Sequence, residues 1–298
     1  RAGGRIRVVH VPKTIDNDLD LDPAVDTFGY QTARHVGVDL VKNLMNDAKT
    51  TSRWYFVVAM GRKAGHLALG IGKATGATLT IIPEEFPRYK TTLRTLVDIL
   101  AGAIIKRLAE GRRHGVAVLA EGLAESLPDE DLKKLGPVEL DDAGKMRLSE
   151  LNLGDSLKRI TRRRLAELGV NSPTLVSKDI GYELRCADPI PFDMEYTRDL
   201  GYCAAKFLFS GGNAAMVTLQ GGNFVPVPFA QMLDPETGRT RLRMVDTRST
   251  RYAIARRYMI RLRRDDFEDP AILAKFGAVC NPKLSVEEFR RQFAYVVE

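Results

Sequence analysis

The chain has 298 residues, of which 44% are hydrophobic, 28% are charged and 7% are aromatic. This composition is ordinary for a globular protein with one large core or two smaller ones, and we expect neither a transmembrane helix nor a signal peptide. The three cysteines are odd in number and lie in no metal-binding spacing. They are typical of the cytoplasm and argue against a disulfide framework or a zinc site.

The net charge of +7 is carried mostly by arginine, with clusters at residues 159–164 and 256–264. A basic stripe can bind nucleic acid, but no known binding module accompanies these clusters. The alternative is a solvated helix face or a contact between subunits. This alternative is favoured for the second cluster by the acidic residues that follow it, which are Asp265, Asp266, Glu268 and Asp269. We therefore expect neither nucleic acid nor a membrane as a partner.

Apolar runs and helical patterns alternate along the chain. The predicted strands are residues 6–11, 54–60, 78–83, 116–121 and 214–220. The predicted helices are residues 26–47, 63–75, 93–113, 155–168 and 193–208. This alternation predicts an α/β fold with mainly parallel sheets flanked by helices, in which ligands bind at the carboxyl ends of the strands.

Three further segments complete the predicted organisation. Residues 127–148 are polar and contain PDED, GP and DDAG, which predicts a surface loop or a hairpin insertion. Residues 285–298 have helical spacing, with Val286, Phe289 and Phe293 on one side and Ser285 as a candidate N-cap. The first five residues, RAGGR, lead directly into a run that is typical of a strand inside a sheet. We therefore expect that an N-terminal portion of the first lobe is absent from this chain.

The segment VPKTIDNDLDL, at residues 11–21, follows the first predicted strand and concentrates reactive side chains. An aspartate just beyond a strand, such as Asp16, can accept a hydroxyl proton, and Asp18 can position a metal ion or water. Lys13 can neutralise the charge that develops on a transferred phosphate. The alternative is a turn that caps a helix, which is a common use of Asp and Asn. The composition of the loop does not decide between the two.

Polar side chains also follow three other apolar runs. Arg62 and Lys63 stand at the start of a predicted helix, where main-chain amides and arginine favour an anion such as phosphate. Glu121 ends an apolar strand and can accept hydrogen bonds from sugar hydroxyls or cap the next turn. Tyr182 and Arg185 can bind a phosphate together, because arginine donates two parallel hydrogen bonds. Each of these segments, taken alone, also fits a plain turn.

Taken together and in this order, PKTIDND, MGR, AEG and GYELR resemble the phosphofructokinase family and are similar to its pyrophosphate-dependent branch. The resemblance extends over nearly the whole chain and includes GRKAGHLALGIGKATGATLTIIPEEF at residues 61–86. It implies a two-lobed α/β fold with the site in the cleft between the lobes. Residues 1–48 and 186–247 would form the remainder of the first lobe, on the donor side. Residues 49–185 would form the second lobe, on the sugar phosphate side, and residues 248–298 a helical C-terminal tail.

The resemblance implies transfer of a phosphoryl group from pyrophosphate to the 1-hydroxyl of fructose 6-phosphate. The products are fructose 1,6-bisphosphate and phosphate, the cofactor is Mg²⁺, and the reaction is expected to be reversible. The alternatives are an ATP-dependent 6-phosphofructokinase and a non-catalytic regulatory subunit of the same family. Asp16, Asp18 and Lys13 argue against the silent subunit, which has no need of a base.

The resemblance also assigns roles position by position. Asp16 matches the general base, and Asp18 matches the aspartate that helps to organise the magnesium site. Lys13 matches a lysine of the pyrophosphate branch, where the ATP branch usually has glycine. The positions that match the family's contacts to the sugar phosphate are Thr14, Ile15, Asp16, Met60, Gly61, Arg62, Glu121, Tyr182 and Arg185.

Two implications concern what lies beyond a single copy of this chain. Arg53 matches an arginine that reaches into the neighbouring subunit's site, which implies a homodimer or a homotetramer. The family's glycine-rich phosphate loop, its donor-discriminating GGDD or GGDG segment and the principal magnesium ligand are expected ahead of Arg1.

Overall fold

The computed structural model describes residues 6–87, 91–136 and 152–297. The strands are β1 (Val9–His10), β2 (Arg53–Ala59), β3 (Leu79–Ile81), β4 (Gly115–Ala120), β5 (Thr174–Ile180), β6 (Ala215–Gln220) and β7 (Asn223–Pro228). The helices are α1 (Tyr30–Thr51), α2 (His66–Thr75), α3 (Leu93–Ala109), α4 (Asp129–Leu135), α5 (Leu153–Glu167), α6 (Tyr182–Arg185), α7 (Pro191–Phe209), α8 (Phe229–Met232), α9 (Thr250–Tyr258), α10 (Arg264–Glu268), α11 (Pro270–Gly277) and α12 (Val286–Phe293). The alternation of strands and helices confirms the predicted α/β class.

The strands form two sheets. The larger sheet has the order β3-β4-β2-β5 and is parallel throughout. The smaller has the order β1-β6-β7, with β1 parallel and β7 antiparallel to β6. The prediction of mainly parallel sheets is confirmed. The strands β5 and β7 were missed, because both are edge strands with several exposed residues and lack the continuous apolar run of a buried parallel strand.

The first predicted strand is shorter and more exposed than expected. Only Val9 and His10 pair with β6, and the side chains of Ile6 and Val8 are 65% and 51% exposed. Within the described part of the chain β1 has a neighbour on one side only. The predicted strand over residues 6–11 is therefore shortened to Val9–His10, and its placement inside a sheet stays a prediction.

The strand β2 contributes side chains to two hydrophobic cores, because successive side chains of a strand point to opposite faces of the sheet. Trp54 and Phe56 pack with α3, α5 and the C-terminal helices. Tyr55 and Val57 pack on the other face with residues of α1 and α2. The predicted lobe boundary at residue 48 stays a prediction, and the packing of α1 on the larger sheet favours a boundary ahead of Tyr30.

The C-terminal segment packs on the larger core through its predicted helix. The Ser285 side chain accepts a hydrogen bond from the main-chain N–H of Glu288, which confirms Ser285 as the N-cap of α12. Phe289 and Phe293 are fully buried, which confirms the predicted apolar side of this helix.

Residues 129–135 fold differently from the predicted loop or hairpin over residues 127–148. They form α4, whose Leu132 and Leu135 are buried. Acidic residues in the first turn and lysines in the last turn of α4 suit the helix dipole, so a polar sequence is compatible with a helix here. Residues 137–148 of this prediction lie outside the described residues.

Both arginine clusters contain arginines that are buried in ion pairs. The Nε of Arg164 donates to the Oδ1 of Asp98 at 2.7 Å, and Arg261 donates to Glu85, with both side chains 6% exposed. These contacts support a structural role for parts of both clusters. Among the described residues, no helix combines the length and the apolar character needed to span a membrane.

Candidate active site

Three of the sequence-predicted segments leave the larger sheet side by side. Ala59 at the end of β2 lies in register with Ala120 of β4 and with Ile180 of β5. The residues that follow these three positions therefore emerge at the same edge of the sheet. They are Met60, Gly61 and Arg62 after β2, Glu121 after β4, and Gly181 and Tyr182 after β5.

The residues that follow β4 stabilise the turn after β2. Gly61 and Arg62 have φ angles of 153° and 47°, and Arg62 occupies the left-handed region that most side chains avoid. The Oε1 of Glu121 accepts hydrogen bonds from the main-chain N–H of Arg62 at 2.7 Å and of Gly61 at 3.3 Å. A Cβ on Gly122 would lie 2.2 Å from the carbonyl oxygen of Arg62. Glu121 and Gly122 thus stabilise a turn that leaves the Arg62 side chain 82% exposed.

The loop that follows β1 buries its two aspartates. Asp16 and Asp18 are each 8% exposed, and Asn17 between them has a left-handed φ of 56°. The main-chain N–H of Asp16 donates to the Oγ1 of Thr14 at 3.1 Å, and the hydroxyl of Thr27 donates to the carbonyl of Thr14 at 2.6 Å. These contacts fix the main chain that leads to Asp16.

The aspartate loop faces the turn after β2. The Oδ2 of Asp16 lies 3.8 Å from the Nε of Arg62. Burial, followed by the charge of Asp18, raises the pKa of Asp16 to about 6, while Arg62 lowers it, Glu121 raises it and Arg185 lowers it. Charged groups from four chain segments therefore act on the carboxyl group of Asp16. Its pKa is close to the range in which a general base works at neutral pH.

The basic side chains that were predicted for the site are accessible. Arg185 is exposed and lies 5.7 Å from the centroid of the Tyr182 ring, which is itself 79% exposed. Lys13 is also exposed, and its ammonium group has no hydrogen-bond or ion-pair partner among the described residues. The main chain beside Lys13 is fixed by a hydrogen bond from Phe28 to Pro12 at 3.0 Å.

Arg53 lies apart from these residues. It is the first residue of β2 and pairs with Thr174, so it lies six residue steps from Ala59 at the other end of the strand. At about 3.3 Å per residue, this separation is roughly 20 Å. A single copy of the chain does not bring Arg53 to the other predicted site residues. Its Nε is buried without a hydrogen-bond partner in the described part of the chain.

Sequence analysis missed two residues that shape the aspartate loop and the helix after it. Asp193 of α7 is 2% exposed and accepts hydrogen bonds at 2.8 Å from the main-chain N–H groups of Gly29 and Thr32, at the start of α1. Arg243 donates to the main chain of Asn17. Neither contact has a local sequence signal, because the partners are 164 and 226 residues apart.

The oxygen ligands that the aspartate loop offers suit a hard cation such as Mg²⁺. No group of three or more His, Cys, Asp or Glu side chains among the described residues has the arrangement of a metal site. Mg²⁺, however, usually binds through one or two carboxylates together with water and substrate phosphates. The buried carboxyl group of Asp18 fits a magnesium ion that is held jointly with the phosphate groups of a substrate.

Comparison with known proteins identifies the family. The model of the family "Phosphofructokinase" matches residues 1–208, and the chain belongs to this family, as its four motifs predict. It is 51% identical over 303 residues to the pyrophosphate–fructose 6-phosphate 1-phosphotransferase of Thermotoga maritima, and covers 71% of that protein. It is 46% identical to the protein of the same name from Naegleria fowleri, and covers 69% of it. Both matches include 100% of this chain.

Solved structures show the same fold at lower identity. The pyrophosphate-dependent phosphofructokinase of Nitrosospira multiformis matches 85% of this chain with a TM-score of 0.58 and 17% sequence identity, and the chain covers 59% of that structure. This likeness confirms the predicted phosphofructokinase-like fold.

Proposed function

We propose that this chain catalyses phosphoryl transfer from pyrophosphate to the 1-hydroxyl of fructose 6-phosphate. The relatives that match its full length at 51% and 46% identity carry the name of this activity. The observation that carries the proposal is the 3.8 Å contact between the buried carboxyl group of Asp16 and the exposed Arg62. In this contact a candidate general base lies beside an arginine that can bind a phosphate group.

The sugar phosphate binds along the edge where β2, β4 and β5 end. The guanidinium groups of Arg62 and Arg185, together with the Tyr182 hydroxyl, hold the anionic 6-phosphate. Met60 and Gly61 line the same turn, and Glu121, whose Oε1 is engaged by that turn, offers its second oxygen to a sugar hydroxyl. Thr14 and Ile15 contact the sugar from the aspartate loop. These assignments are supported by the common register of the three strand ends.

Asp16 acts as the general base in this mechanism. Its carboxylate accepts the proton of the 1-hydroxyl while the hydroxyl oxygen bonds to a phosphorus of pyrophosphate. The bond between that phosphorus and the bridging oxygen breaks, and phosphate leaves with the electron pair. Lys13, an exposed cation with no partner among the described residues, neutralises the charge that grows on the leaving phosphate.

Asp18 contributes to the magnesium site from the same loop. When bound, Mg²⁺ neutralises the charge of the pyrophosphate oxygens. Asp18 is well placed to orient this ion, because it is 8% exposed and two residues from the base.

The functional unit is a homodimer or homotetramer in the cytoplasm. Arg53 lies at the far end of β2 from Met60, so its participation in a sugar phosphate site requires a second copy of the chain. The two lobes correspond to the two sheets, with the site between them, and the C-terminal helices pack on the second lobe. The cytoplasmic location is supported by three free cysteines.

The test supplies the full-length protein with fructose 6-phosphate, Mg²⁺ and one phosphoryl donor, either pyrophosphate or ATP. Formation of fructose 1,6-bisphosphate with pyrophosphate is the expected result, and the Asp16→Asn variant is the matched control. Turnover with ATP alone overturns the donor assignment and leaves the sugar site standing. Binding of fructose 6-phosphate without turnover by either donor indicates the regulatory subunit instead.

A further inference from the structure

The guanidinium group of Arg243 donates hydrogen bonds to the aspartate loop from all three of its nitrogens. Its Nε and Nη2 donate to the carbonyl of Asn17 at 3.2 and 3.1 Å, and Nη2 also donates to the Asn17 side-chain oxygen. Its Nη1 donates to the carbonyls of Asp22 and Val25 at 2.9 and 2.8 Å. A guanidinium has five N–H donors, and these five hydrogen bonds engage all of them. No donor of Arg243 remains for a substrate phosphate.

The main chain of Arg243 extends this contact to the other side of the site. Its N–H donates to the carbonyl of Asp18 at 2.8 Å, and its carbonyl lies 3.0 Å from the Nε2 of His66, the first residue of α2. Two residues later, the N–H of Val245 donates to the Oε1 of Glu84 at 3.0 Å. The same oxygen accepts from the N–H of Gly65 at 2.8 Å. The segment therefore joins the aspartate loop to the start of the helix that follows the Arg62 turn.

The loop needs such a partner because of its backbone conformation. Asn17 has a left-handed φ, and its carbonyl is not part of a helix or a sheet ladder. A carbonyl that is shielded from water must find a donor within the protein. The planar, rigid guanidinium satisfies several acceptors in a fixed geometry, which a lysine ammonium group does not reproduce.

We propose that Arg243 is a positioning residue that holds Asp16 and Asp18 in register with the Arg62 turn, without contacting the substrate. This inference rests on the proposed function. It predicts a specific kinetic pattern, because Arg243 sets the placement of the base and does not add to the affinity for the sugar phosphate.

The kinetic test compares Arg243→Met and Arg243→Lys with Arg241→Met. Arg241 is the matched control, because it lies two residues away and also pairs with the loop, through Asp20 at 2.6 Å. We expect both Arg243 variants to lower kcat by about 30- to 100-fold, since a misplacement of about 1 Å can cost this much. The KM for fructose 6-phosphate should stay within about threefold, and Arg241→Met should change neither constant by more than about threefold.

The rate of amide hydrogen exchange in the loop measures the effect of the Arg243 contacts in the absence of substrate. Peptides that cover residues 13–19 should exchange at least about tenfold faster in Arg243→Met than in the wild type, with Arg241→Met unchanged. Added guanidinium at low concentration should restore part of the kcat of an Arg243→Gly variant. This rescue would not occur if Arg243 supported only the overall stability.

The two hypotheses fail in different ways. A wild-type protein that does not turn over fructose 6-phosphate contradicts the proposed function, whereas the exchange experiment does not depend on a donor. The role of Arg243 is overturned if folded Arg243 variants keep kcat within about threefold of the wild type. It is equally overturned if loop exchange is unchanged, or if KM rises while kcat is kept. Should Arg243→Met not fold, the same criteria apply to Arg243→Lys.

Discussion

At the scale of single residues, the ionisation of Asp16 predicts a pH dependence. Burial and then Asp18 raise its pKa from 3.8 to about 6. A general base works only when it is deprotonated, so kcat/KM should rise with pH through a midpoint near 6 and level off above about pH 7. The effect on stability has the opposite sign. Between the ordinary and the raised pKa the folded state binds the proton more tightly, so this group's contribution to the free energy of unfolding falls as pH rises.

The control for this profile is the Asp16→Asn variant, which keeps the shape of the side chain and cannot accept the proton. Loss of a positioned base should lower kcat by about 10²- to 10⁴-fold. Any pH dependence that persists in the residual activity belongs to the phosphate groups of the substrates. Near-normal turnover of the variant would contradict the assignment of Asp16.

Lys13 yields a prediction about the donor. In the proposed mechanism its charge acts on the leaving phosphate, and such an interaction strengthens in the transition state. Lys13→Gly should therefore lower kcat with pyrophosphate by more than it raises the KM for pyrophosphate, while binding of fructose 6-phosphate stays close to that of the wild type. Steady-state kinetics with each substrate varied would measure this. Lys13→Arg, which keeps the charge, should retain much more activity, and equal losses in the two variants would argue against a role for the charge.

The residues of the site differ in how far a sequence reveals them. Arg62 and Glu121 follow the neighbouring parallel strands β2 and β4, whose ends meet at one edge, so their proximity was predictable. Asp16 follows β1 of the other sheet, and only the family resemblance predicted that it would lie beside them. Arg243 lies 226 residues from Asn17 in a segment without regular secondary structure. Its proposed role depends on carbonyls that a left-handed turn leaves outside any helix or sheet ladder, and no spacing or composition encodes this.

At the scale of elements, the start of α1 depends on a residue from α7. Gly29 occupies the N-cap position of α1 and has no side chain to accept a hydrogen bond, and Asp193 takes over this task from outside the helix. Asp193→Ala should lower the free energy of unfolding by about 1–3 kcal/mol, because buried N–H groups lose their acceptor. Urea unfolding followed by circular dichroism would measure the change.

The matched control for this change is Asp199→Ala, at an exposed position of the same helix. It should alter the free energy of unfolding by no more than about 0.5 kcal/mol. Equal effects of the two substitutions would show that α7, and not the cap of α1, responds to the loss of an aspartate.

Elements were predictable where their pattern was strong. The central strand β4 is buried throughout and β2 is buried from Trp54 onward, and both form continuous apolar runs in the sequence. The edge strand β5 carries Lys178 and Asp179 near its end, and α4 begins with three acidic residues. In both cases charged residues interrupt the apolar pattern, because the strand or helix packs against the core on only one side.

At the scale of the whole molecule, the proposed sharing of a site between subunits predicts complementation. The Asp16→Asn and Arg53→Ala variants should each be nearly inactive. In a mixed dimer, one site combines an intact Asp16 with an intact Arg53 from the other subunit. Co-expression of the two variants should then restore about a quarter of the wild-type activity, because half of the dimers are mixed and half of their sites are intact.

The control for complementation is a mixture of the separately purified variants, assayed before their subunits exchange. Its activity should equal the average of the two. Co-expressed protein with no more activity than this average would show that Arg53 and Asp16 do not serve one site. Size-exclusion chromatography with light scattering would establish the number of subunits in each sample.

Arg62 and Arg185, whose charges act on the buried carboxyl group of Asp16, are both exposed, and this exposure has a kinetic consequence. The outer rim of the site is cationic, so its field extends into the solvent over about one Debye length, roughly 8 Å at physiological ionic strength. Highly charged anions in general are drawn to this rim before any specific contact forms. The second-order rate of substrate capture should therefore decline steeply with added salt, whereas the maximal turnover of the loaded enzyme should hardly respond. Sulfate should slow capture more than chloride at equal ionic strength, because it also competes for the arginines.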